Sequence, residues 1–492
     1  GAAIKGDAGN AVQTITNTGT VNLIGEATVT ATATVVGAGT LNIYDGSGGA
    51  AIVNTISGVI GADGTNATAI NVGALDGADT DAGRVVFSSN VFADAVTIAS
   101  GADSGELSSA TFVDNLTNNT LTLTTAVGGD AQAVFAAGSG ATTIVTGSIN
   151  GAGDVTTEGA DVSTTTFNGN LGTGTALKLF HIGDADIADI NLDLTATNIT
   201  FDDATSELEI TGASAQTVTG LMDGDTTGGI GILQISQDAT IVSNIGATQE
   251  LADIILADGK SATFSGIVKT EDLLLGSTAT GGSSVTLAQD GHIIGDRTQG
   301  DTGILTFGKN LTLTLDDTIV AGETIFDVDF TDSATATNGV VVTSGTTIKL
   351  PGNFTSGAIT LVDGDVALAV TAAELLLLDA ADTALSNYSI THTDSLKDVT
   401  ITATDKSSTE VAKALGTTKN SGAAFTQARA AIVKGGTAAE LDTITNTLNA
   451  VGFSAKADTD LALQVAPQTE MFAGSTVAAQ GVSGSVQGIM SN

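Results

Sequence analysis

One repeated texture constrains the fold more than any other feature of this sequence. From Gly1 to about Val370, short runs of β-branched and apolar residues alternate with Gly, Asn or Asp. Runs such as Thr20–Ile24 and Leu311–Leu315 have the usual strand length of about five residues, and the residues between them favour tight turns. The chain has 62 Gly but only two Pro. Since Pro removes a backbone hydrogen bond from a sheet, this composition favours many closely connected strands.

A degenerate repeat underlies the texture. Five strand-like segments place Phe directly after Thr, at irregular spacings: Ala110–Phe112, Thr165–Phe167, Ile199–Phe201, Ala262–Phe264 and Leu305–Phe307. Self-similar short strands with glycine corners are typical of stacked rungs. In such a stack each rung buries apolar residues against its neighbours, while Thr, Asn and Ser face outward. The sequence therefore predicts a mainly β fold, an elongated right-handed parallel β-helix, over residues 1–370.

Tandem antiparallel β-sandwich domains are the alternative architecture. Internal Asn-Gly and Asp-Gly pairs would suit the hairpins of such domains. Against them, the sequence shows no linker or change of composition at intervals of about 100 residues.

Composition limits the partners. Hydrophobic residues make up 42% of the chain and aromatic residues only 3%, with no Trp, so the core must consist mainly of Val, Ile, Leu and Ala. Fifteen basic against 54 acidic residues give a formal charge of −39, which argues against a nucleic-acid partner because phosphate backbones are also negative. The absence of Cys excludes disulfides and thiolate metal sites.

A small mixed module is predicted at residues 371–460. Its composition is richer in basic residues, and helical spacing occurs at Ser408–Leu415, Gly422–Val433 and Thr437–Val451, after a strand-like stretch at Val399–Thr402. Because an uncovered last rung exposes strand edges, we expect this module to cap the β-stack.

The last segment, residues 461–492, is a linker of small residues. With Leu463–Pro467 and the final Ile489–Asn492, it resembles the junction between an autotransporter passenger and its translocator barrel. The rung region is similar to rickettsial-type outer-membrane surface-coat proteins, most closely at Thr166–Asn170. The resemblance implies export across the outer membrane to the bacterial cell surface or beyond, and processing at Asn492. The start at Gly1 is interpreted as that of a processed mature form.

No catalytic motif emerges. The three histidines, His181, His292 and His392, share no motif, and His181 with nearby Asp184 is interpreted as an ordinary surface residue. The string at 102–105 lacks the first Gly of the Gly-Asp-Ser-Gly nucleophile motif. We therefore predict that the protein is not an enzyme.

Calcium is the only cofactor to which the sequence points. Asp223 with Asp225, and Asp327 with Asp329, offer hard oxygen ligands. No calcium-binding repeat accompanies them, and Asp is also a common turn former.

The sequence thus predicts a secreted structural protein that assembles with copies of itself into a coat, surface layer or filament. The alternative is a monomeric adhesin that binds a surface polysaccharide or a host receptor. An exported hydrolase on a β-helix is the third and least favoured hypothesis.

Overall fold

A computed structural model describes most of the chain. The described residues are 15–16, 18–24, 35–44, 53–73, 82–100, 107–125, 129–159, 161–225, 229–277, 280–295, 304–328, 339–352, 354–364, 377–393, 398–415, 422–423, 426–427 and 430. The predicted linker at 461–492 with Asn492, the helix at Thr437–Val451, and Asp329 lie outside them. The chain divides into two compact units, Gly1–Gly276 with Ile294–Gly303, and Ser277–Ile293 with Ile304–Asn492. They are called unit 1 and unit 2 below.

Unit 1 consists of short strands joined by corners. They are β1 (Ile15–Thr16), β2 (Thr20–Ile24), β3 (Val35–Val36), β4 (Thr40–Tyr44), β5 (Asn54–Ile56), β6 (Ala67–Gly73), β7 (Arg84–Phe87), β8 (Val91–Ala99), β9 (Leu107–Phe112), β10 (Leu116–Thr124), β11 (Asp130–Phe135), β12 (Thr142–Gly151), β13 (Asp154–Thr157), β14 (Thr164–Phe167), β15 (Leu177–Ile182), β16 (Ile187–Ile190), β17 (Leu194–Phe201), β18 (Glu207–Ile210), β19 (Gln216–Gly224), β20 (Ile232–Ile235), β21 (Ala239–Ile241), β22 (Leu251–Leu256), β23 (Ser261–Phe264) and β24 (Lys269–Leu275).

Many inward-facing residues of unit 1 can be grouped into three columns, called A, B and C. Within a column, each residue pairs in parallel register with the residue one rung away. Column A contains Ile60, Val91, Leu116, Val145, Phe167, Ile190, Ile210, Ile235, Leu256 and Leu275. Column B contains Leu41, Ile70, Val96, Leu121, Ile149, Leu171, Leu194, Val218, Ile241 and Phe264. Column C contains Val85, Ala110, Ala133, Val155, Phe180, Ile199, Met222, Ile245 and Val268.

The chain visits these columns in a fixed order. One turn runs from Val145 in column A through Ile149 in B and Val155 in C, and returns to column A at Phe167. This winding of parallel strands, rung upon rung, confirms the predicted parallel β-helix. The rungs differ in length, since successive members of column A are separated by 31 residues from Ile60 to Val91 but by 19 from Leu256 to Leu275.

Because the strands are in parallel register, identical side chains stack on one another in successive rungs. Beside column C, Phe87, Phe112 and Phe135 pair in register, and their rings lie 5.3 and 5.5 Å apart in stacked geometry. Phe135 then contacts the edge of Phe167, with centroids 5.3 Å apart. All four are fully buried. The interior thus takes Phe as well as the predicted aliphatic residues.

Unit 2 begins with the same architecture and ends differently. The remaining elements are β25 (Ser284–Leu287), β26 (His292–Ile294), β27 (Ile304–Phe307), β28 (Thr312–Leu315), β29 (Thr324–Val328), β30 (Gly339–Val342), β31 (Thr346–Lys349), β32 (Gly357–Gly364), β33 (Leu378–Ala380), β34 (Ser386–Thr393), β35 (Asp398–Asp405) and helix α1 (Ser408–Ala414). Strands β25, β28, β31 and β33 pair in parallel, as do β27 with β30 and β29 with β32. Strand β35 then pairs antiparallel with both β32 and β34.

The predicted helix at Ser408–Leu415 is confirmed as α1. Ser407 caps its N-terminus in a capping box with Glu410. The proposed boundary near residue 370 lies within 365–376, outside the described residues, and stays a prediction. Within the described part of the chain, no helix has the length and apolar character needed to cross a membrane.

Candidate functional site

A group of interacting ionisable side chains lies on the outer side of the strands that carry column C. Asp130, Asp154, Lys178, His181 and Asp202 form this group, which we call the ionic face. They come from β11, β13, β15 and the residue after β17. Their strand neighbours Val155, Phe180 and Ile182 are fully buried, so strand alternation turns the ionic side chains outward.

Lys178 joins two carboxylates from different rungs. Its Nζ lies 2.6 Å from Asp130 Oδ1 and 3.8 Å from Asp154 Oδ2. Asp154 is mostly buried, its Oδ1 has no hydrogen-bond partner, and burial raises its pKa, although the charge of Lys178 opposes this effect. Lys178 and Asp130 are about half exposed, so this ion pair contributes little to stability.

His181 lies between a hydroxyl and a carboxylate. Its Nδ1 is 2.8 Å from Thr200 Oγ1 and its Nε2 is 3.3 Å from Asp202 Oδ1. Thr200 pairs with His181 in the parallel register of β15 and β17. Burial raises the pKa of Asp202, and the neighbouring carboxylates of Asp184 and Asp225 raise it further, while His181 lowers it. The imidazole is thus held between a neutral hydroxyl and a carboxylate.

An acidic corner adjoins the ionic face, where the chain turns from column C to column A. The residues that follow the column C strands in successive rungs include Glu158, Asp202 and Asp225, whose amides donate to carbonyls of the preceding rung. Asp184 and Asp203 lie in the same turns. This concentration of negative charge on one corner attracts cations and repels other acidic surfaces.

Inside the same corner, one carboxylate ties rungs together. Asp186 is 1% exposed. It accepts hydrogen bonds from Ser163 Oγ at 2.6 Å and from the backbone amide of Gly159 at 2.6 Å. Both donors lie more than 20 residues earlier in the sequence. Asp186 is therefore a structural residue.

Asp and Asn serve a similar purpose at other corners. Their side-chain oxygens accept hydrogen bonds from backbone amides of the next rung. Examples are Asn115 with Ile144, Asn150 with Gly174, Asp193 with Thr217, Asp223 with Thr248, Asp238 with Ser261, and Asn244 with Ile267, at 2.7 to 2.9 Å. These side chains supply hydrogen-bond acceptors to backbone amides that would otherwise need a partner in a neighbouring strand.

The structure describes three of the four calcium candidates, Asp223, Asp225 and Asp327. Asp223 Oδ1 is occupied by the amide of Thr248, and Asp225 lies at the acidic corner. Asp327, in unit 2, pairs in register with Asp363 of β32. Among the described residues no group of three or more His, Cys, Asp or Glu side chains is arranged to hold a metal ion. Calcium binding stays a prediction.

Sequence reasoning missed the ionic face. It assigned His181 to the ordinary surface and did not select Asp130, Asp154 or Lys178. The missing signal was the register, since these residues approach only because β11, β13, β15 and β17 align in successive rungs. No protein-family model, curated protein or solved structure matches the chain.

Proposed function

We propose that this chain is a non-enzymatic structural subunit of a bacterial cell surface, exported like an autotransporter passenger, and that its copies assemble into a coat, layer or filament. The proposal is supported mainly by the hydrogen bonds that polar side chains of unit 1 make between rungs. They bond from rung to rung and maintain the stack, as in the ladder where Asn42 donates to Asn22 and Asn71 donates to Asn42, at 2.8 and 2.9 Å.

The features of the ionic face do not favour a catalytic role. Its exposed Lys178 and Asp130 form a bridge open to solvent, and its His181 is held by Thr200 and Asp202. Active sites favour a concave, desolvated setting with convergent donors, which an open sheet surface does not supply. A long-lived, hydrogen-bonded surface suits a scaffold better.

The negative charge of the protein should control its assembly. With a formal charge of −39, copies repel one another unless cations screen them. The acidic corner brings carboxylates of several rungs together, so repulsion between copies should be strong there. Divalent cations should therefore promote association, without the need for a dedicated binding site.

Electron microscopy of the purified protein, with calcium and with a chelator, tests the proposal. We expect ordered sheets or filaments in calcium and their dispersal by the chelator. Single particles under both conditions would refute self-assembly and favour the monomeric adhesin.

A charge-neutralising variant sharpens the test. Asp184→Asn with Asp225→Asn removes two exposed charges from the acidic corner, so ordered assemblies should form at lower calcium concentration. The matched control, Asp63→Asn with Asp114→Asn, removes the same charge from exposed turns elsewhere in unit 1. Equal behaviour of the two variants would show that net charge, and not the acidic corner, sets the calcium requirement.

A further inference from the structure

Unit 2 contains a fully buried imidazole. His292 begins β26 and has no exposed surface. Its ring lies 5.7 Å from that of Phe326, which in turn packs edge-on against Phe307 at 5.9 Å. Its Nε2 is 3.1 Å from the carbonyl oxygen of Gln289.

The surroundings of His292 disfavour a positive charge. Burial lowers its pKa from 6.5 to about 4, although the Gln289 carbonyl and the Asp290 carboxylate oppose this effect. Strand β29 presents Phe326 to the ring, and its Asp327 is only half-buried, on the other side of the strand. Strand β27 has no titratable residue. An imidazolium at this position would thus face aromatic rings.

We propose that His292 is an acid switch for unit 2: its protonation breaks the aromatic packing of Phe326 and Phe307 and opens this unit, while unit 1 stays folded. The folded state takes up the proton less readily than the unfolded state. The stability of unit 2 is therefore unaffected above pH 6.5 and falls as the pH drops from there towards 4. At pH 5 the unfolding equilibrium constant should have risen roughly 30-fold, and below pH 4 roughly 300-fold.

Such a switch would let an assembled surface layer open in acid at a defined part of each subunit. The inference does not depend on self-assembly, because the buried imidazole acts within one chain. Failure of either proposal would leave the other intact.

The two tyrosines of the chain report on the two units separately. Tyr44 belongs to β4 of unit 1, and Tyr388 belongs to β34 of unit 2, where its ring stacks on Phe354 at 6.1 Å. The chain has no Trp. In a Tyr44→Phe background, the tyrosine band of the near-ultraviolet circular dichroism spectrum follows unit 2, and in a Tyr388→Phe background it follows unit 1.

Acid titration from pH 8 to pH 3, with urea unfolding at each step, tests the switch. We expect the Tyr388 signal to be lost at higher pH than the Tyr44 signal. His292→Phe should abolish most of the roughly 30-fold change at pH 5 and leave the Tyr44 transition in place. His392→Gln is the matched control, since His392 is an exposed histidine of the same unit, and it should change neither transition.

Two results would overturn the proposal. One is a Tyr388 acid transition that His292→Phe does not move. The other, which remains decisive if that variant fails to fold, is an NMR titration of the histidine rings in the intact wild-type protein. Three imidazoles that all titrate near pH 6.5 would show that none is held neutral by its surroundings.

Discussion

Polar side chains bond over different distances in the rungs of unit 1 and at the N-terminus of helix α1 in unit 2. In unit 1, Asp186 bonds to Ser163 and Gly159, which are 23 and 27 residues away. Near α1, Ser407 and Glu410 bond across three residues. A parallel stack must be held by contacts between rungs, whereas a helix end can be satisfied by its own sequence. Damage to a rung of unit 1 should therefore spread further than damage to the cap of α1.

Their cores differ in the same way. Phe112 packs between Phe87 and Phe135, one from each adjacent rung. In unit 2, a cluster of four buried residues joins α1 to the turn before β34. It consists of Ala384, Leu385, Val411 and Leu415. The Phe stack makes each rung depend on its neighbours. The small cluster fixes one helix.

The largest effect is expected where the stack is interrupted. Phe112→Ala leaves a cavity between two rings and should cost about 3–5 kcal/mol of unfolding free energy. Denaturant unfolding followed at Tyr44 measures it. In a Tyr44→Phe background, the transition of Tyr388 should stay where it is in the wild type.

A surface residue supplies the control for this variant. Leu221→Ala removes an apolar side chain that is 40% exposed on the same unit, and should change the unfolding free energy by less than about 0.5 kcal/mol. If Phe112→Ala lowered the Tyr388 transition as much as that of Tyr44, the two units would unfold together and the contrast between them would fail.

Local pattern was enough to predict the strands and the fold class. The predicted run Thr20–Ile24 is a strand with those bounds, and the predicted run Leu311–Leu315 contains the strand Thr312–Leu315. Their side-chain alternation and turn residues are properties of a few neighbouring positions. The tandem β-sandwich alternative is not what forms, because every strand pair described in unit 1 is parallel.

Rung positions could not be predicted in this way. The Thr-Phe segments look equivalent in sequence, yet Phe167 lies in column A, Phe264 in column B and Phe112 beside column C. The repeat marks a type of strand and not a place in the rung, which explains its irregular spacing. The ionic face escaped prediction for the same reason, since Lys178 meets Asp130 across 48 residues.

A smaller effect is expected from a corner of unit 1. Asp186→Ala leaves the Ser163 hydroxyl and the Gly159 amide without their acceptor in a buried corner, and should cost about 2 kcal/mol. Urea unfolding followed at Tyr44 measures it. Asp184→Ala, two residues away but exposed, should have almost no effect. Equal losses for both variants would mean that the corner tolerates the missing acceptor and that general acidity matters there.

The smallest effect is expected from the N-terminal cap of α1, which is held by short-range hydrogen bonds. Ser407→Ala removes the side chain that accepts from the amide of Glu410, and loss of such a cap costs about 1 kcal/mol. Because the bond spans three residues, the change should appear only in the Tyr388 transition, and Ser407→Asp, which can still cap, should restore it. A shift of the Tyr44 transition in Ser407→Ala would show that α1 supports the rungs of unit 1 as well. The difference between short-range bonding at α1 and rung-to-rung bonding in unit 1 would then not separate their effects on stability.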